Sequence, residues 1–425
     1  MPEPSSPAAA PAPSVSIPQT TAGLAIILAA LSMLGPFSID TYLPAFPDIE
    51  RSLGATSLEV QQTLSVYMLA FGIMTLWHGA LSDAFGRRAI ILGWLAVFAV
   101  ATLGCAASAS VGYLWAFRML QGVSAGAGVV IGRAIIRDLH SGPAAERLLS
   151  LVTMIFSIAP AIAPILGGFI VKRWDWRAIF LFLFAYAVLL LWYCYKRLPE
   201  SLPPEKRQRL SFGFLWDSYR SVFRSPLFLL KSGTVAFNFA GLFLFVSSAP
   251  AFITRHLGLG PDQFAWLFIP AVSGIFCGAL TANRLAGKLQ IDTQVRIGFV
   301  LLVGAAGTNV LYHAFLPPAL PWSVLPLFFY TFGMSIVAPG ATLMVLDLFP
   351  EIRGIVASCQ SAVATILGGI VSGAVAPVLS ASTLSLAFGQ LACTATALTL
   401  WLIGRAYRSR AARDRMNAWE SVEVD

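Results

Sequence analysis

Charged side chains set inside long apolar runs are the residues of this sequence placed to do chemistry, and two stand out. Asp40 lies in Gly35-Pro36-Phe37-Ser38-Ile39-Asp40-Thr41-Tyr42-Leu43-Pro44, at the far end of an apolar run that begins near Ala22. Arg118 lies in the fourth such run, which begins near Gly112. An ionised group in hydrocarbon is costly, so residues of this kind pair with one another or handle protons and substrates. At ~1.5 Å per helical residue both sit roughly 9–10 Å below the same membrane boundary. Equal depth leaves two readings: a static ion pair, or an Asp40 that takes up and releases a proton while Arg118 tunes it. A nearby guanidinium favours the carboxylate and desolvation favours the neutral acid, so the balance shifts when a cavity opens or a substrate enters. Pro36 and Pro44 each remove a backbone donor and bend the helix around the acid.

The elements that position these residues are membrane spans. The chain has 425 residues, 57% hydrophobic and only 11% charged, with mean hydropathy +0.76. Soluble domains carry about 25% charged residues. Apolar stretches of roughly 20 residues, enough to cross a ~30 Å hydrocarbon core, recur along the chain. Twelve are expected, near 22–46, 60–81, 89–108, 112–136, 148–171 and 178–195, then 227–252, 264–286, 296–315, 322–346, 355–379 and 383–404. The expected fold is an all-α membrane protein of two pseudo-symmetric six-helix bundles, 22–195 and 227–407. A polar central loop, 196–226, joins them; 1–21 and 408–425 are read as tails, the first disordered. The first 21 residues contain no Lys or Arg, so they lack the basic region of a secretory signal. Gly79-Ala80-Leu81-Ser82 and Gly278-Ala279-Leu280-Thr281, each ending the second span of its half, form a faint internal repeat.

Basic residues sort by side. One set of loops holds Arg87, Arg88, Arg137, Arg147, the segment from Lys196 to Lys231, Arg284 to Arg296, Arg353 and Arg405 to Arg415. The other holds Arg51, Lys172, Arg173, Arg177 and Arg255. This places both termini in the cytoplasm, and the formal charge of +8 reflects topology rather than nucleic-acid binding. Cys105, Cys194, Cys277, Cys359 and Cys393 are scattered without a paired spacing, and the four histidines give no metal site. No Gly-rich turn ending in Lys-Ser/Thr supports an ATP-driven pump. No nucleophile–base pair supports an enzyme.

Three motifs carry a resemblance. Gly79-Ala80-Leu81-Ser82-Asp83-Ala84-Phe85-Gly86-Arg87-Arg88, between spans two and three, resembles the signature loop of the major facilitator superfamily. Arg118-Met119-Leu120-Gln121-Gly122 resembles its Arg-x-x-Gln-Gly motif. Ala159-Pro160-Ala161-Ile162-Ala163-Pro164-Ile165-Leu166-Gly167-Gly168 resembles its antiporter motif, with Ala159 and Ala163 where glycine is usual. The block around Asp40, Arg133-Ala134-Ile135-Ile136-Arg137-Asp138 and Leu346-Asp347-Leu348-Phe349-Pro350 look like the bicyclomycin/chloramphenicol-resistance (Bcr/CflA) branch of drug:proton antiporters. The resemblance implies proton coupling at Asp40 and Arg118. It also implies an inner charge cluster of Asp83, Arg87, Arg137 and Asp138 that latches the inward-closed state. Trp77-His78 departs from that pattern, and His78 reads as a packing histidine.

Aromatic and weakly polar residues expected to face a central cavity are Tyr42, Tyr67, Phe71, Gln121, Asn238, Phe243 and Tyr330. With one deep acid, such a pocket suits amphiphilic compounds, cationic or neutral. The expectation is an inner-membrane monomer that exports small hydrophobic compounds by alternating access, without a cofactor, driven by the proton gradient. The alternatives are a metabolite exporter of the same fold and a non-transporting receptor.

Overall fold

The computed structural model describes residues 21–422 and is helical throughout. The expected 1–21 tail thus lies almost wholly outside the described residues. Among the described residues, twelve helices are long and apolar enough to cross a membrane. Spans one to six are Gly23–Leu53, Ser57–Phe85, Arg87–Ala106, Val111–Leu139, Ala144–Arg173 and Arg177–Arg197. Spans seven to twelve are Pro226–Ser247, Pro261–Leu285, Ile291–Phe315, Leu325–Leu346, Pro350–Leu379 and Thr383–Tyr407. The last helix itself continues to Val422.

The prolines act where the sequence put them. The first helix, Thr21–Asp40, contains Pro36 and stops at Asp40; the chain turns through Thr41 and Tyr42, makes a 3-10 turn over Leu43–Ala45 and resumes an α-helix at Phe46. Asp40 therefore stands at a helix end, where carbonyls lack helical partners, and Thr41 Oγ1 returns to the Phe37 carbonyl at 2.5 Å. Span seven is shorter than expected: its helix ends at Ser247, and a π-helical turn, Ala251–His256, takes over. A second π turn, Val371–Val375, interrupts span eleven.

The segment between the halves is more than a polar loop. Ser211 Oγ accepts from the Phe214 N–H at 3.3 Å and caps a helix, Phe212–Arg224. Leu215, Ser218 and Val222 form its buried stripe, while Phe212, Phe214 and Trp216 are exposed. Tyr219 ties it to span two by donating to the Leu76 carbonyl at 2.6 Å; burial pushes that phenol up to about 12.

The two halves meet closely at the membrane face that holds the start of span two. Gln61 Nε2 donates to the Ser247 carbonyl at 3.0 Å and to Ser372 Oγ at 3.2 Å. Gln62 Nε2 reaches the Gly373 carbonyl at 2.7 Å, and Ser65 Oγ the Gly369 carbonyl at 2.7 Å. Arg255 donates to Ser57 Oγ at 2.7 Å, and Lys172 pairs with Asp262 at 2.7 Å. The sealed face is thus sewn with polar contacts across the halves. Toward the opposite face, which carries the Phe85–Arg88 turn, the halves separate around a cavity.

Candidate functional site

The cavity encloses about 940 Å³ and runs from Gly35, Pro36 and Asp40 to charged residues at the Arg87 face. Tyr67, Met68 and Phe71 line its first-half wall; Phe239, Phe243 and Phe268 line the second. Asp40 is buried yet borders this space, and it is the deepest acid along the wall.

Arg118 does not pair with it. Among the described residues no ion pair joins Asp40 to any base. The guanidinium is fully buried behind the cavity wall, with Nη1 donating to Gln121 Oε1 at 2.5 Å and to the Ser38 carbonyl at 3.1 Å. Its Cζ lies 4.6 Å from the Tyr42 ring centroid and 4.3 Å from that of Tyr67. Among the described residues Nε and Nη2 have no hydrogen-bond partner, so the π faces meet the rest of the charge. Tyr67 lies within the field of both Arg118 and Asp40 and donates to the Gly35 carbonyl at 3.2 Å. This proximity links acid and base through a shared ring rather than through a bond. Gly122 makes the arrangement possible, since a Cβ there would run into the Tyr67 carbonyl.

The expected lining residues divide. Tyr67, Phe71 and Phe243 border the cavity. Tyr42 and Gln121 do not: Tyr42 shares a 2.8 Å hydrogen bond with Thr63, and Gln121 Nε2 donates to Thr102 at 2.8 Å. Both turn toward Arg118 because a buried guanidinium must be met. Tyr330 and Asn238 are also buried away from the cavity, with the Tyr330 hydroxyl donating to the Asn238 carbonyl at 3.1 Å. His78 sits against Trp94, with Nε2 3.1 Å from the Val123 carbonyl, as a packing residue.

At the Arg87 face the motif residues assemble around Arg87. It pairs with Asp83 at 2.5 Å and Asp138 at 3.0 Å, and donates to Ser82 at 2.6 Å. Arg88 reaches the Tyr195 carbonyl at 2.8 Å. Gly86 turns the chain between spans at φ +99°, where a side chain would strain the backbone. Arg137 is not part of the knot; it lines the cavity, as do Gly79 and Pro160. Sequence reasoning missed Glu200, whose carboxylate accepts from the Arg87 and Arg88 N–H groups at 2.9 and 3.2 Å. It caps the start of span three, where a negative charge is favoured. Its position just after span six, opposite the Gly-Arg-Arg turn, was the available signal. In span five, Pro164 lies inside the helix, Gly167 abuts the Thr41 carbonyl, and Gly168 abuts Pro261 of the second half.

Comparison with known proteins agrees with this geometry. The family model described as Major Facilitator Superfamily matches residues 26–373. An uncharacterised MFS-type transporter of Bacillus subtilis is 32% identical over 82% of the chain and 87% of its own length. The bicyclomycin resistance protein homolog of Haemophilus influenzae is 30% identical over 82% and 88%, and multidrug resistance protein D of Escherichia coli 28% over 83% and 88%. Among solved structures, a D-xylose–proton symporter superposes with a TM-score of 0.70 at 16% identity, over 90% of the chain and 98% of its own. At that identity the likeness bears on the fold alone.

Proposed function

The chain belongs to the Major Facilitator Superfamily, in its bicyclomycin/chloramphenicol-resistance branch, and from that premise we propose that it exports small hydrophobic or amphiphilic compounds in exchange for protons. The observation that carries this is Asp40: an acid in the deep wall of an aromatic cavity, with no base paired to it among the described residues. Such a carboxyl group is free to hold either a proton or a cationic compound. The names of the relatives, which include bicyclomycin, chloramphenicol and multidrug resistance proteins, support the substrate class.

In this reading the cavity faces the cytoplasm of a bacterial cell, at the inner membrane, with both termini inside. The basic loops lie on that side, as topology rules favour. A compound enters from the Arg87 face, reaches Asp40 and displaces its proton. The seal made by Gln61, Gln62 and Ser65 then opens as the halves rock, and a proton from outside returns to Asp40 as the compound leaves. Arg118, held behind Tyr67, keeps its charge fixed while Asp40 exchanges its proton. The unit is a monomer, and the proton gradient is its energy source.

Everted vesicles holding an established proton gradient test the reading. A cationic dye of the ethidium type, added outside, should accumulate and draw protons out. Dye accumulation that persists after the gradient is collapsed would contradict it.

A further inference from the structure

The mouth of the cavity carries charge of the opposite sign to its floor. Arg133 and Arg137 stand one helical turn apart on span four, both bordering the cavity and both exposed to it. Arg209, from the segment joining the halves, borders the same mouth. The acids there are Asp83, Asp138 and Glu351. The first two are engaged by Arg87, and Ser201 also donates to Asp138 at 2.8 Å. Glu351 comes from the second half. Among the described residues none of Arg133, Arg137, Arg209 or Glu351 makes an ion pair. Arg87 offsets one of the two charges on Asp83 and Asp138, so three basic side chains stand against that remaining charge and Glu351, a net excess of one positive charge, and two of the three repel each other along one helix.

We infer that Arg133 and Arg137 form a subsite for an anionic group, a sulfonate, carboxylate or phosphate, on an amphiphile whose apolar body lies in the cavity. Leu76, Phe214, Tyr219 and Ile355 supply apolar wall to the same cavity. An arginine presents a planar fork that matches an oxyanion, and partial exclusion from water strengthens the match. The fifteen residues from Arg118 to Arg133 separate the pair from the depth of Asp40 by about 22 Å along the helix. The two ends of the cavity thus take opposite charges, which extends the proposed substrate class from cations and neutral compounds to anions. The inference rests on the efflux reading only for its transport consequence; binding at the mouth stands apart from it.

The test compares an aromatic sulfonate amphiphile with its uncharged sulfonamide of the same ring system. Both are titrated against the full chain in phosphatidylcholine nanodiscs. Wild type should prefer the sulfonate, and Arg133→Gln should lower the sulfonate-to-sulfonamide affinity ratio by about tenfold. Arg133→Lys, which keeps the charge without the fork, should restore part of the ratio, which separates charge recognition from damage to the fold. Glu351→Gln should raise it, because it removes the one free acid at the mouth. Replacing a fifth of the lipid with phosphatidylglycerol distinguishes the sources: displacement of the sulfonate identifies a lipid headgroup as the natural occupant, and no displacement a free amphiphile. A ratio that stays the same in Arg133→Gln and Arg137→Gln, or no preference in wild type, would overturn the subsite. If the ratio moves while proton-coupled export is absent, the efflux reading fails and the subsite stands.

Discussion

Arg118 lies over the ring of Tyr67, its Cζ 4.3 Å from the centroid, and that ring separates it from the cavity that Asp40 borders. The base is thereby fixed and the acid left open, a division of roles that an Asp40–Arg118 ion pair would have erased. A buried cation–π contact contributes about 2 kcal/mol, so the ring is a structural partner as well as a wall. Tyr67→Phe keeps the π face and loses one hydrogen bond, and export should stay within about twofold of wild type. Tyr67→Ala removes the face, uncovers the guanidinium and should abolish drug resistance while lowering the melting temperature of purified protein.

Gln121 is the side chain that meets the Arg118 charge directly, at 2.5 Å. A hydrogen bond to a charged group is worth about 1.5–3 kcal/mol. Gln121→Leu should therefore destabilise the protein by about 2 kcal/mol in thermal unfolding, and its effect should overlap with that of Arg118→Lys rather than add to it. Additive losses in a double-mutant cycle would show that the two side chains act independently.

How much of this was legible in sequence differs from residue to residue. Asp40 stood out because an ionisable side chain in an apolar run is too costly to keep unless it pairs or acts. The twelve spans followed from length and hydropathy alone. That Asp40 and Arg118 stay unpaired was not legible, because equal depth leaves rotation about each helix free. Rotation also decided which aromatics line the cavity: Phe71 and Phe243 face it, whereas Tyr42 and Tyr330 turn into their own bundles to satisfy buried polar groups. The Phe212–Arg224 helix was hidden because its buried stripe is short and its surface mixes aromatic and charged residues.

Gln61 makes two of the polar contacts that hold the seal. Gln61→Ala removes donors to the Ser247 carbonyl and to Ser372, at 3.0 and 3.2 Å. At about 1 kcal/mol each, their loss should shift the balance between the two end states by roughly tenfold or more toward closure of the Arg87 face. Spin labels placed on spans two and eleven near that face should report a larger short-distance population. An unchanged distribution would remove Gln61 from the seal.

Arg87 pairs with two carboxylates at once. Arg87→Ala leaves Asp83 and Asp138 facing each other without a counter-charge, and resistance should fall to background. Arg87→Lys, which lacks the planar fork, should recover only part of it. Asp138→Asn in the Arg87→Ala background should improve expression by relieving the repulsion, measured by fluorescence size-exclusion chromatography.

Proton release on drug binding tests the central claim most directly. Purified wild-type protein in weakly buffered solution should release protons when a cationic drug is added, and Asp40→Asn should bind the drug, if at all, without release. That result makes Asp40 the group at which proton and drug compete. Equal release from both proteins would place the exchange elsewhere and leave Asp40 a structural acid at the end of a broken helix.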